Sequence, residues 1–492
     1  MQRVKSITII FLILLSLLCI HFFNISMIRH RELSTMASQQ RSKKSDIKTW
    51  RGCIFDCNMI PLCDRSETTV KTAGGQSVPV TGRYTSDTPA KHLLGYINSE
   101  GDGVCGIEKT FNDILKTDLT SSVSYIADIN GNQIHDNNLT SNYSLVPDKN
   151  IKLTLDYKIQ KIAEQVADEF IPSGAIVIMD IQNFDIKAMV SRPDYNQNNI
   201  TEYMQSKNSP LLNKAVCSYN AGSIFKIITS VCAIENNINI QNFCNGSTII
   251  NGIEFGCHQK EGHQLLDFKN AFAKSCNCYY YTVSQILGAD KIIDTAKRFN
   301  LYKNFETLAI PTDKGFLPDK KFYNNADSAN ISIGQGEILV TPLQVAYISA
   351  VIANKGLGKT VNITDSVVDG DGNIINILRQ QGSNYVISKE CADKIGEMMR
   401  QCVIDGTAKE LNNIPVLVAG KTGSAETGWL DESGMPMVHG WFCGYFPYQN
   451  PKYAMVVFAE NGQSGSSACI PAFKKIVLDI NDLYNINTTP EF

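Results

Sequence analysis

The chain has 492 residues, 43% of them hydrophobic and 19% charged, and a formal net charge of −3. That length predicts two or three domains, and the apolar fraction supports a sizeable core and excludes a disordered chain. The balance of 45 Lys+Arg against 48 Asp+Glu leaves no basic excess, which argues against a nucleic-acid partner.

The first element is an uncharged apolar run from Ile7 to Phe23, extended by Asn24 to Ile28. It reaches about 20 residues, enough to cross a bilayer as a helix. A cleaved signal peptide would need a small-residue site after it, and Met36-Ala37-Ser38 is a poor one; an uncleaved anchor is therefore preferred. Arg3 and Lys5 precede the run while Arg29, Arg31, Arg41, Lys43 and Lys44 follow it. On the positive-inside rule these charges favour the wrong side for an exported enzyme, so orientation has to come from the motifs below.

Residues 1–28 are thus expected to be a short tail and anchor, 29–49 a polar stalk, and 50–150 an irregular β-rich pedestal without a long helical period. Residues 151–492 form the main domain. It opens with an alternating strand, Ile151 to Leu155, after which Asp156 caps an amphipathic helix to about Phe170. Ala175–Met179 and Ile186–Val190 form a hairpin across a turn at Gln182-Asn183. Ile224 to Glu235 is apolar on nearly all sides, the mark of a buried helix. Thr341-Pro342 starts another helix, running to Asn354 and stopping at Gly356. Trp441–Phe446 and Tyr453–Ala459 close the domain as strands. Strands at both ends with helices between predict an α+β fold whose sheet joins the two ends.

The chain has 15 cysteines, scattered without a CxxC. Cys244 and Cys257 flank a turn-rich stretch and could pair as a disulfide. With His258 and His263 they could also hold zinc. Two reduced thiols is the plain reading, and no metal is expected.

Three short motifs carry chemistry. Ser223-Ile-Phe-Lys226 stands at the mouth of the buried helix, where the dipole stabilises a developing oxyanion. A lysine three residues on returns to the same face, and burial should lower its pKa until a neutral amine can take the serine proton. Ser45-x-x-Lys48 and Thr68-x-x-Lys71 share the spacing but lie in polar surroundings, as chance matches. Lys421-Thr422-Gly423 follows the apolar run Pro415–Gly420. A phosphate-binding loop would need glycine at position 415 and a following helix, and neither is present. On a strand edge, Lys421 and Thr422 can instead hold a carboxylate, with Gly423 letting a substrate approach the backbone. Between them, Ser275-Cys276-Asn277 and Ser328-Ala329-Asn330 both fit a Ser-x-Asn proton relay, though a helix cap is the plain alternative for Ser275.

The set matches the SxxK, SxN and KTG motifs of penicillin-binding proteins and serine β-lactamases. The chain resembles the class B penicillin-binding proteins from about Trp50 to Gly465. The phrases that carry this are Arg51-Gly52 with Asp56, Gly106-Ile107-Glu108, KLTLD at 152–156, AGSIFK at 221–226, KSCN at 274–277, IGQG and TPLQ between 333 and 344, GKTGSAE at 420–426 and HGWF at 439–442. Departures are Ala221 where proline is frequent, Ser424 where threonine is frequent, Cys57-Asn58-Met59 in the pedestal motif, and the missing glycine at Gln182-Asn183.

The resemblance implies a penicillin-binding-protein/serine β-lactamase-like transpeptidase domain, an antiparallel sheet flanked by helices. It also implies a single-span protein whose catalytic domain lies on the outer face of the cell membrane. It implies Ser223 as the acylated nucleophile, Lys226 as its base, and Ser275 with Asn277 as relay and substrate contact. Lys421 and Thr422 would hold the substrate carboxylate beside Gly423, and the N–H groups of Ser223 and Ser424 would form the oxyanion hole. The expected partners are peptidoglycan stem peptides, β-lactams as covalent inhibitors, the membrane and a membrane glycosyltransferase. No cofactor is required. A hydrolase (D,D-carboxypeptidase or β-lactamase) and an acylation-competent scaffold or sensor are the alternatives.

Overall fold

The computed structural model describes residues 2–30, 32–33, 36, 42–48, 51–63, 66–71, 77–116, 120–126, 149–206, 208–319, 323–430 and 434–486. The chain divides into two compact units. One comprises Met1–Arg51, Ser66–Gly82 and Thr117–Pro147, and the other Gly52–Arg65, Arg83–Lys116 and Asp148–Phe492.

In the first unit, helix α1 spans Gln2–Phe23 and continues as a wider turn over Asn24–Ile28. The segment Ile7–Ile28 has 22 residues with a mean hydropathy of 2.5 and is long and apolar enough to cross a membrane. Ser42–Lys48, inside the expected stalk, is a strand paired antiparallel with Thr120–Ile126. Ser66–Lys71 pairs likewise with Ser77–Gly82. The chance matches at Ser45 and Thr68 fall on these strands.

The second unit is built on a five-stranded antiparallel sheet. The five strands and the helices that frame the sheet and the site are, in chain order, α2 (Tyr157–Phe170), β1 (Gly174–Asp180), β2 (Ile186–Arg192), α3 (Lys226–Glu235), α4 (Asn277–Leu287), α5 (Pro342–Ala353), α6 (Lys389–Asp405), β3 (Ala419–Leu430), β4 (Pro436–Phe446), β5 (Tyr453–Ala459) and α7 (Gly465–Tyr484). Strand order is β3-β4-β5-β1-β2. The early hairpin therefore lies beside the last strand, as the α+β reading anticipates.

Both sheet faces are covered, which explains the continuous apolar run in β1. Successive residues alternate between two cores: Ala175, Val177 and Met179 join the core containing α5, while Ile176 and Ile178 join the one containing α2 and α7. Asp156 caps α2 by accepting from the Lys158 and Ile159 N–H groups. Thr341 and Gln344 form a reciprocal capping box on α5, with Pro342 in the first turn. All twelve residues of α5 are buried, as its unbroken apolarity requires. The β1–β2 turn manages without glycine because Phe184 takes φ 59°.

Two local expectations shift. Gly222–Phe225 is a 3₁₀ turn, and the α-helix proper begins at Lys226. The KTG tripeptide lies within β3 rather than after a strand, and Pro415–Val418 precedes the strand. Two pedestal phrases lie in this second unit. Buried Asp56 accepts from the Asn58, Ile60 and Tyr157 N–H groups. Buried Glu108 is held by Arg83 and the Tyr84 hydroxyl.

Candidate active site

Three elements that are far apart in sequence converge on one cavity of about 430 Å³, lined by Ser223, Ser275, Asn277, Thr422 and Ser424. Ser223 comes from the 3₁₀ turn before α3, Ser275 and Asn277 from the start of α4, and Thr422 and Ser424 from β3. Glycine permits the approach. Gly222 has φ +55°, and a Cβ there would lie 2.4 Å from the Ser424 carbonyl oxygen. A Cβ on Gly423 would lie 2.7 Å from Ile224 Cγ1. Gly222 also donates its N–H to the Gly334 carbonyl at 2.9 Å, which fastens the IGQG segment behind the turn.

The two lysines are fully buried, an expensive placement for ammonium groups unless all donors are satisfied. Lys226 Nζ donates to the Ser275 carbonyl (2.6 Å), the Asn277 Oδ1 (2.7 Å) and the Ser275 Oγ (3.2 Å). Lys421 Nζ donates to the same Ser275 Oγ (3.0 Å) and to the Thr422 carbonyl (2.8 Å). The Ser275 hydroxyl therefore accepts from both, leaving its own proton to be directed into the cavity. Ser275 takes the left-handed φ of 54°, which aims its carbonyl and side chain together at Lys226. The second SxN does not reach this site: Ser328 lies on Asn325–Ser332 and donates to the Asn324 carbonyl.

Burial, reinforced by the nearby Lys421 charge, pushes the Lys226 ammonium down to about 7. Burial also lowers Lys421. Aromatic faces partly offset the desolvation: the Tyr280 ring lies 5.3 Å from Lys226 Nζ, and Phe272 lies 5.7 Å from Lys421 Nζ. The three donors of Lys226 are spent on Ser275 and Asn277 rather than on Ser223, so the relay pair is structurally tied to the lysine.

Sequence reasoning missed Thr407, whose hydroxyl bonds that of Thr422 at the cavity wall. It lies in the loop after α6 and carries no local signal. Gln335, within the IGQG phrase, and Glu426, within GKTGSAE, also line the cavity. The HGWF phrase is structural support. Trp441 Nε1 donates to the Asn220 carbonyl (3.0 Å), and buried His439 Nδ1 accepts from the Asn461 N–H (3.3 Å). Cys244 and Cys257 form no disulfide, and neither does any other cysteine of the chain.

The solved structures that this chain resembles agree with the fold. It is 27% identical over 410 residues to "Peptidoglycan D,D-transpeptidase FtsI" of Buchnera aphidicola subsp. Schizaphis graminum, covering 80% of this chain and 68% of that protein. It is 26% identical to "Stage V sporulation protein D" of Bacillus subtilis, covering 79% of this chain and 62% of that one. The structure of penicillin-binding protein A from M. tuberculosis, a ceftriaxone acyl-enzyme complex, superposes with a TM-score of 0.71 at 22% identity, over 87% of this chain and 98% of that one. Residues 174–478, from β1 into α7 and including every cavity residue above, match the family described as penicillin binding protein transpeptidase domain. With the sheet, the three motifs and that match in agreement, the chain belongs to the penicillin-binding protein transpeptidase family.

Proposed function

We propose that this peptidoglycan D,D-transpeptidase works through an acyl-enzyme on Ser223, with Lys226 as base and Ser275 as relay. The observation that carries the reading is the single Ser275 hydroxyl accepting from both buried lysines at the edge of the cavity that Ser223 lines. Neutral Lys226, or Ser275 on its behalf, takes the Ser223 proton as Oγ bonds to the penultimate D-Ala carbonyl carbon. The peptide C–N bond breaks, and the proton passes to the amino group of the departing D-Ala. An amine from a second stem then attacks the ester, loses its proton along the same route, and returns Ser223 to the hydroxyl form. The N–H groups of Ser223 and Ser424 hold the carbonyl oxygen through both steps; the close approach of Gly222 to the Ser424 carbonyl supports this pairing. Lys421 and the Thr422–Thr407 hydroxyl pair receive the terminal carboxylate. A β-lactam enters the same path, but its nitrogen stays tethered to the acyl group and blocks the acceptor side. We further propose that α1 anchors the chain, with 50–150 as a pedestal and 151–492 as the catalytic domain outside the membrane, beside a membrane glycosyltransferase.

The test is intact mass of the full chain after benzylpenicillin, with peptide mapping of the adduct and its decay after drug removal. One adduct on Ser223, absent from Ser223→Ala and lost more slowly than about 1 s⁻¹, supports the transpeptidase. Labelling on another serine overturns the nucleophile, and faster turnover moves the protein to the hydrolases.

A further inference from the structure

Beside the relay lies a second cluster that the acyl-transfer chemistry does not use. Cys244, Cys257, His263 and Cys276 place one ligand atom each within 4.8 Å of one another. His263 Nδ1 is 3.6 Å from Cys244 Sγ and 3.7 Å from Cys257 Sγ. Bond lengths to zinc of about 2.3 Å for sulfur and about 2.0–2.1 Å for nitrogen give tetrahedral edges of about 3.8 Å for S···S and about 3.5 Å for S···N. The histidine–cysteine separations match that edge. Three thiols in an ordinary apolar core have no reason to converge on an imidazole nitrogen.

The surrounding fold supplies an independent reason. Residues 242–266 are two nested hairpins, Asn242–Cys244 paired with Gln264–Leu266 and Ser247–Ile250 with Ile253–Gly256. Four of their large apolar side chains point outward, Phe243, Ile249, Ile253 and Leu265 being 55–74% exposed, while Ile250 and Leu266 reach the core. A segment with so little core of its own needs a staple. Cys244 and Cys276 are fully buried, and Cys257 is nearly so, where the hairpins meet the start of α4.

We propose that Cys244, Cys257, His263 and Cys276 bind one zinc ion that staples the 242–266 hairpins to α4 and thereby holds the Ser275–Asn277 relay in place. Four protein ligands complete a tetrahedron and leave no open position, so the metal is structural. A thiolate-rich tetrahedral set selects zinc over the oxygen-preferring divalent cations. Cys276 is the middle residue of Ser275-Cys276-Asn277, so one ligand bond lies between the two residues that hold Lys226. The Asn277 N–H donates to Cys257 Sγ at 3.4 Å, and its side-chain amide to the Gly256 carbonyl at 3.4 Å. The first is the kind of outer hydrogen bond expected around a bound thiolate, and the second ties Asn277 to the hairpin beside it. This proposal departs from the sequence reading, which expects no metal.

The full chain, purified in detergent under reducing conditions, is assayed for bound metals by elemental mass spectrometry. About one zinc per chain is expected, lost in Cys244→Ser and Cys257→Ser and kept in Cys469→Ala, a buried thiol of the other core. Because ligand variants could misfold, the wild-type chain is also stripped with a chelator and refilled with zinc or cobalt(II). Cobalt should give the thiolate charge-transfer band and intense tetrahedral d–d bands. Stripping should slow benzylpenicillin acylation by about 10-fold or more, and stoichiometric zinc should restore it. A metal-free chain that refuses zinc, or a Cys244–Cys257 disulfide in a parallel sample alkylated and mapped without reductant, overturns the site. Zinc removal without effect on acylation overturns the positioning role. The acylation arm rests on the proposed function, whereas the metal count does not, so a chain that binds zinc but never labels at Ser223 would indict that function alone.

Discussion

Replacing Lys226 with arginine keeps the positive charge in a fully buried position but removes the ability to lose a proton, because guanidinium stays charged in proteins. In the native chain, burial and the neighbouring Lys421 hold the Lys226 ammonium at about 7. The active, neutral amine is therefore gained as pH rises through that value and lost below it. About half of the molecules are competent at pH 7, about 10% one unit lower and about 1% two units lower. The acylation rate of the wild type, followed with a chromogenic or fluorescent β-lactam in stopped flow, should climb about 10-fold per pH unit below 7 and level off above it. Lys226→Arg should fall by roughly 10²-fold or more, the scale of general-base catalysis, and lose the rise near pH 7. Arginine is bulkier than lysine at a site whose donors reach Ser275 and Asn277, so Lys226→Met serves as a near-isosteric second variant with the same expected loss. Circular dichroism and melting curves establish that both are folded. A flat wild-type profile from about pH 5.5 to about 8.5, roughly one and a half units either side of the expected midpoint, or a folded variant at near-native rate, would refute the base assignment.

Lys421→Ala should weaken acylation by carboxylate-bearing β-lactams and peptides far more than by an analogue without that group; equal losses would point to a structural role. Gly222→Ala should cost about 1–2 kcal/mol for the left-handed backbone alone. It should also push β3 away, since its Cβ would sit 2.4 Å from the Ser424 carbonyl. A lowered melting temperature together with slowed acylation is expected, and native behaviour in both would remove Gly222 from the account of how the nucleophile turn meets the KTG strand.

Local patterns in the chain were sufficient for the elements that local physics controls. The apolar run before residue 29, the Asp156 and Thr341 helix starts, and the buried β1 and α5 are legible because burial periodicity and capping residues act within a few positions. The nucleophile segment and the KTG strand were legible as short phrases whose order is shared with a known family. The local form does not distinguish Ser275 from Ser328; the family resemblance of KSCN points to Ser275, and in the fold it is Ser275 whose hydroxyl meets both lysines, while Ser328 bonds back to its own helix start. The partners of Lys226 followed the same logic, since its three donors are fixed by residues about 50 positions away rather than by the serine on its own turn. Thr407 gave no signal because its role exists only through a hydroxyl on another element. The cysteines make the point most clearly. Cys244, Cys257 and His263 were visible as a loose group, but Cys276 was read only as the silent middle of a motif. Chain folding turned three thiols and an imidazole into one cluster, because long-range contacts, not spacing along the sequence, set the distances between ligand atoms.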